Sequence, residues 1–154
     1  MTLNINELPR GGTACLGCAG LGVDADVTED AETLADFPFA INGLSYICTS
    51  ADGDVKLDGE TVEDGYTALF LVCINAAGTI TVVKGDEVAN ADLTAGVAVV
   101  HWPTPTADTC PIGAIKIKNA TGSQFVGGTT GLDTANITDT FYNFFCVPEA
   151  PLTS

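Results

Sequence analysis

Basic residues are scarce in this chain: five Lys and Arg stand against 20 Asp and Glu, a formal net charge of −15 over 154 residues. Holding a phosphate backbone takes clustered cations, and Arg10, Lys56, Lys84, Lys116 and Lys118 lie too far apart in sequence to build such a patch. Composition therefore excludes nucleic acid as a partner, and the same sign of charge argues against an anionic membrane surface. Long apolar runs are missing as well. The longest, residues 68–74, is far too short to cross a bilayer. The opening MTLNINELPRGG has no basic segment leading into an apolar one, so no signal peptide is expected there. Synthesis in a reducing cytoplasm follows, with the six Cys as free thiols rather than a disulfide frame.

What is present is a foldable core. Apolar residues make up 46% of the chain, and its length is that of one domain able to bury a core without metal or disulfide staples. The surplus negative charge favours solubility and repulsion between copies, which suits a protein displayed densely on a surface.

Two textures divide the sequence. Residues 1–36 are small and acidic: Gly11-Gly12, then ACLGC, then DADVTEDAETLAD. Residues 27–35 have the acids of a first helical turn, with Asp26 as the cap, but only Val27, Ala31, Leu34 and Ala35 as an apolar stripe. A short helix and an extended arm are both open. From Phe37 the pattern turns to β. FAINGLSYI has Asn42-Gly43 between short apolar runs, the strongest local hairpin signal, because both residues tolerate positive φ. The acid-rich ADGDVKLDGETVEDG reads as a loop. YTALFLVCI is apolar on both alternating faces and reads as a central strand buried from both sides. TITVV, VAVVHW, IGAIKIK, SQFV and TDTFYNFFCV complete the expected strands. The predicted fold is all-β: a β-sandwich of roughly seven to eight short antiparallel strands with an irregular N-terminal extension. The expected organisation is an N-terminal extension or arm over 1–36, the β-sandwich domain over 37–147 and a tail over 148–154.

Chemical motifs are weak. Cys15 and Cys18 form a CxxC, but a structural zinc site pairs one CxxC with another, and Cys48, Cys73, Cys110 and Cys146 include no second pair. A redox dithiol should open a helix, whereas Gly-Gly-Thr precedes Cys15 and Ala-Gly-Leu-Gly follows Cys18. Their short loop can still close into a disulfide. Cys48, Cys73 and Cys146 fall in expected strands and read as core. Asp52, Asp54 and Glu63 match three positions of a calcium loop, but Lys56 and Leu57 replace a ligand and the turn glycine, which rules that frame out. The single His101, beside Trp102, has no nucleophile elbow to serve. Asn119-Ala-Thr and Asn136-Ile-Thr match the glycosylation sequon, in turn-like contexts. No active site is expected, and no cofactor or metal; the enzyme alternative is a carboxylate or cysteine site, for which loss of activity on substituting Cys15 or His101 would be the sign.

The run CPIGAIKIKNATGSQFVGGTTGLDTANITDTFYN, residues 110–143, is the most distinctive. Together with FAINGLSY and LFLVCINAAGTITVVKG, it resembles small virion proteins of tailed bacteriophages. Within that group it is most similar to the capsid cement, or decoration, proteins of short-tailed cyanophages. The resemblance spans about residues 37–145 and rests on motif order. It implies a non-enzymatic homotrimer made in the host cytoplasm and clamped on the outer capsid surface, with the major capsid protein as partner. There it would stabilise the icosahedral shell against internal pressure. On that reading Phe70, Val72, Phe141, Tyr142, Phe144 and Phe145 are candidates for core or trimer contact, the two being inseparable by alternation alone. Leu8, Pro9, Cys15 and Cys18 are the candidates for a capsid-contact arm. The alternative class is a receptor- or glycan-binding β domain of a tail fibre or spike, using exposed aromatics such as Tyr66 and Trp102.

Overall fold

A computed structural model describes residues 12–50 and 55–144. The fold is all-β and antiparallel throughout, with twelve strands and one short helix among the described residues. The first three strands are β1 (Ala14–Cys15), β2 (Leu21–Val23) and β3 (Ala31–Thr33). The hairpin follows, as β4 (Phe37–Ile41) and β5 (Leu44–Cys48). β6 (Thr61–Val62) precedes the longest central element, β7 (Tyr66–Asn75), and β8 (Ile80–Lys84) and β9 (Val88–Ala89) come next. After α1 (Asn90–Ala95) come β10 (Thr109–Asn119), β11 (Phe125–Val126) and β12 (Ile137–Asn143).

The main sheet runs β12-β10-β7-β8, with β9 on the free stretch of β7; β1-β4-β5 forms a second sheet, and β6-β11 and β2-β3 are two-stranded ribbons. The hairpin expected from Asn42-Gly43 is there. Asn42 and Gly43 take φ of 51° and 78°, and β4 pairs β5 from Ile41–Leu44 out to Phe37–Cys48. Alternation then sorts β4: Phe37, Phe39 and Ile41 point into the core while Pro38 is exposed.

β7 is buried on both faces, as its double apolar pattern predicts. Ala68, Phe70, Val72 and Ile74 join Phe37, Phe39, Ile115, Ile117 and Phe125 in the main core between the layers. Leu69, Leu71 and Cys73 form a smaller cluster with Ala114 on the opposite, outer face. The smaller sheets therefore cover one face of the large one in a sandwich-like arrangement. A bulge between Pro111 and Gly113 adjusts β10 to this scheme: Cys110 precedes it, Ile112 is its extra residue, Ile115 and Ile117 follow it, and all four reach the main core. Pro111 lacks an N–H for the ladder, and a side chain at Gly113 would meet the Tyr142 carbonyl and Leu21.

Residues 12–36 depart from expectation in their described part. They are no separate extension: Cys15, Ala19, Leu21 and Ala31 lie in the main core, and β1 pairs β4 at Cys15–Phe39. No helix forms over 27–35. The Asp24 carboxylate, not that of Asp26, accepts from the Asp26 and Val27 N–H groups and closes a turn into β3. VAVVHW is the other correction. Residues 97–102 pair with no strand; they cross the outer face of the main sheet after α1, whose end is set by Gly96 at φ 71°. The sheet has room for that crossing because Gly85 lies beneath it: a Cβ there would come within 3.2 Å of the His101 carbonyl.

Candidate functional site

A well-formed concavity lies on the outer face of the main sheet. It is a cleft of 620 Å³ with β7, β10 and β12 as its floor and α1 and residues 96–102 as its walls. The floor shows Thr67 and Leu69 from β7, Lys116 and Lys118 from β10, and Tyr142 from β12. Pairing register fixes their order, Lys118 standing beside Thr67, Lys116 beside Leu69, and Tyr142 beside Ala114. IGAIKIK thus does what its alternation says: Ile115 and Ile117 face the core, and the lysines stand on the other side. On the wall, Leu93, Val100 and Trp102 supply apolar surface, and Asn90 and Thr94 supply polar groups.

Two local devices hold the cleft in shape. Trp102 packs edge-on against Tyr142 and Phe144, with centroids at 5.6 and 5.8 Å, which pins residues 97–102 to β12. At the other end Thr67 Oγ1 donates to Asn90 Oδ1 at 2.6 Å, and Asn90 Nδ2 donates to the Asn119 carbonyl at 2.9 Å. Asn119 is itself a buried polar hub. Its Nδ2 donates to the carbonyls of Val62 (3.0 Å) and Ser123 (2.8 Å), and its Oδ1 accepts from Thr121 N and Oγ1. A sequon asparagine so used has no free amide for a glycan.

The residues singled out from sequence separate in space. Phe70 and Val72 are fully buried in the chain's own core, so neither is available to a second copy. Phe141 packs on the same core from β12, while Tyr142 is half-buried on the outer face and Phe144 packs against both clusters. Cys15 sits in the core, its Sγ donating to the Gly17 carbonyl at 2.9 Å, rather than on an arm's surface. Leu8, Pro9 and Phe145 lie outside the described residues. Tyr66 and Trp102 are exposed, and so are Leu44, Ile47, Val97 and Val99.

The thiols do not make a reactive centre. Cys15, Cys73 and Cys110 are free thiols and, like Cys48, are buried. Burial pushes the Cys15 and Cys73 thiols up, and Cys110 is pushed up to about 12 by burial and the neighbouring Cys15 and Cys73. Cys18 is disulfide-bonded, which corrects the expectation that all six cysteines are free. Cys15 being free, the CxxC does not close on itself. Among the described residues no group of three His, Cys, Asp or Glu side chains gathers as a metal site. Nor is any helix among them long and apolar enough to cross a membrane.

The cleft was not legible in the sequence. Its one signal was the pair Lys116 and Lys118 two residues apart in a chain with few cations, but the wall that faces them is the segment expected to be a strand. Compared with protein-family models, curated proteins and solved structures, the chain matches none.

Proposed function

We propose that this chain is a structural, non-enzymatic protein of a tailed-bacteriophage virion: a homotrimeric cement protein that sits on the outer capsid surface and stabilises the shell. The observation that carries this reading is apolar surface displayed on an acidic protein. Ile47 and Leu44 on the edge strand β5 are 77% and 64% exposed, and Val97 and Val99 beside the cleft are 75% and 62% exposed. Apolar groups set in a strongly charged surface mark faces that a partner covers. The major capsid protein and a second copy of this chain are the partners this reading requires, and the motif order over 37–145 supports it. Tyr142, partly buried on the outer face, and Phe144, which packs against both clusters, are the remaining candidate trimer contacts.

Light scattering tests the assembly. The purified chain should run at three times its 15.8 kDa mass, and it should add to capsids that lack it. A stable monomer that ignores such capsids overturns the reading. One observation favours the second class, a receptor- or glycan-binding β domain: Trp102, more than half exposed, stands at a cleft with polar groups at one end. Copy number separates the two, since a fibre or spike is present in few copies per particle and a cement protein in many.

A further inference from the structure

Cations are the scarcest charged groups in this molecule, so their placement is informative. Lys84 is committed to Glu87 at 2.6 Å, and Lys56 lies near enough to Asp30 to act on its carboxyl. Lys116 and Lys118 form no ion pair among the described residues. Both stand on the outer face of β10, two residues and so about 7 Å apart along the strand, and both line the 620 Å³ cleft. Of the thirteen residues lining it none is acidic, in a chain that carries 20 acids. The cleft is therefore a local positive site on a negative protein.

It is also two-ended. Lys118, Thr67, Asn90 and Thr94 make one end polar, while Leu69, Val100, Trp102 and Tyr142 continue it as an apolar trough, with Lys116 between. Its volume is that of a small-molecule site. We propose that the cleft binds a small amphiphilic carboxylate, its anionic head between the ammonium groups of Lys116 and Lys118 and its hydrocarbon body along Leu69, Val100 and Trp102. A bare inorganic anion would leave the trough wet. A neutral hydrocarbon would strip water from two ammonium groups and return nothing. An acid with an apolar body satisfies both ends at once. This inference stands apart from the virion reading and does not depend on it.

Trp102 is the only tryptophan in the chain, so its fluorescence reports on the cleft alone. The full chain is titrated at fixed ionic strength with octanoate, with octanol as the neutral analogue and acetate as the headgroup alone, and stoichiometry is read by calorimetry. Octanoate is expected to shift the emission saturably at one equivalent, with octanol and acetate at least about tenfold weaker. The Lys116→Gln/Lys118→Gln variant, with an unchanged circular dichroism spectrum, is expected to lose about tenfold or more of the octanoate affinity, the loss of a charge-assisted contact. The proposal is overturned if octanol or acetate binds as tightly as octanoate, if the double variant binds octanoate unchanged, or if no saturable one-to-one response appears by about 10 mM. Should the variant fail to fold, the ranking of the three probes on the unaltered protein decides alone.

Discussion

Replacing Asn119 by Asp changes no heavy-atom shape and tests the buried hub directly. The wild-type amide donates to two carbonyls, Val62 at 3.0 Å and Ser123 at 2.8 Å, in a side chain with no exposed surface. In the variant both donors become one oxygen, which faces those carbonyls without a proton or takes one up. Ionised, it is an uncompensated buried charge, a situation that costs about 3–5 kcal/mol. Protonation sets a ceiling on that penalty: lifting a carboxyl from its ordinary value near 4 to remain neutral at pH 7 costs about 1.4 kcal/mol per unit, or roughly 4 kcal/mol. The neutral form then donates to only one of the two carbonyls, and the lost bond adds about 1 kcal/mol. Asn119→Asp is therefore expected to destabilise by about 4–5 kcal/mol at pH 7, out of the 5–15 kcal/mol typical of a domain. At pH 4 protonation is nearly free, and the penalty should shrink to about 1–2 kcal/mol. The sign follows from the raised native pKa, since the folded variant holds a proton that its unfolded chain releases. Urea unfolding of wild type and variant at both pH values measures the difference. A penalty below 1 kcal/mol at pH 7, or one that does not change with pH, would refute the role given to Asn119.

Asp30 offers a second pH-dependent test. It is buried, one carboxylate oxygen has no partner, and burial raises its pKa against the pull of Lys56, with Asp58, Asp24 and Glu29 raising it further. Asp30→Asn should thus leave stability unchanged below the ordinary aspartate value. Its advantage over wild type should grow as pH rises through the raised native value and then level off; thermal melts across about pH 3–7 would refute this with a flat or inverted difference. Gly127→Ala places a methyl against the Leu57 backbone, including its carbonyl carbon at 2.6 Å, and should cost about 1–3 kcal/mol or more and lower Tm by several degrees. An unchanged Tm would mean that the β6–β11 ribbon yields freely. With a thiol reagent at neutral pH, Cys73 and Cys110 should label only on unfolding, and Cys18 only after reduction. Rapid labelling of native Cys110, or labelling of Cys18 without a reductant, speaks against these assignments.

Where side-chain period and turn chemistry agree, the sequence reports the fold well. Asn42-Gly43 forces a turn whose φ values few other residues accept, so β4 and β5 and the inward set Phe37, Phe39 and Ile41 follow from it. β7 is apolar at both alternating sets because it is covered on both sides. Alternation says which face is buried, however, and not whether a neighbour completes the ladder. Residues 97–100 alternate in burial as a strand would, yet they lie across a sheet face and make no ladder. Residues 12–36 misled in the opposite direction. Their core contribution comes from small groups such as Ala19 and Ala31, while Asp24, Asp30 and Glu32 are buried beside them. Composition reads such a stretch as solvated, because acids are rarely buried. The hydrogen bonds that Asp24 accepts from the N–H groups two and three residues on, a local turn, show why one of them is inside.

One misplaced strand explains why the cleft escaped the sequence. Had residues 97–102 joined the sheet, β7 and β10 would present Leu69, Lys116 and Lys118 on an open face, and two solvated lysines would need no further account. Crossing that face instead, the segment sets Val100 and Trp102 opposite them, and α1 closes the polar end through Asn90. The crossing depends on three local features: the left-handed end of α1 at Gly96, the open approach above Gly85, and the seat of Trp102 on Tyr142 and Phe144. Each is a contact between elements far apart in sequence or a φ value at a single residue. None alters hydrophobic periodicity, which is the signal a sequence reading uses. The same crossing leaves Val97 facing solvent and Val99 exposed at the rim of the cleft that it also lines, so the cleft and the exposed apolar surface beside it belong to one segment. A partner that covers Val97 and Val99 would therefore lie against the wall of the cleft, and occupancy of one should be felt at the other.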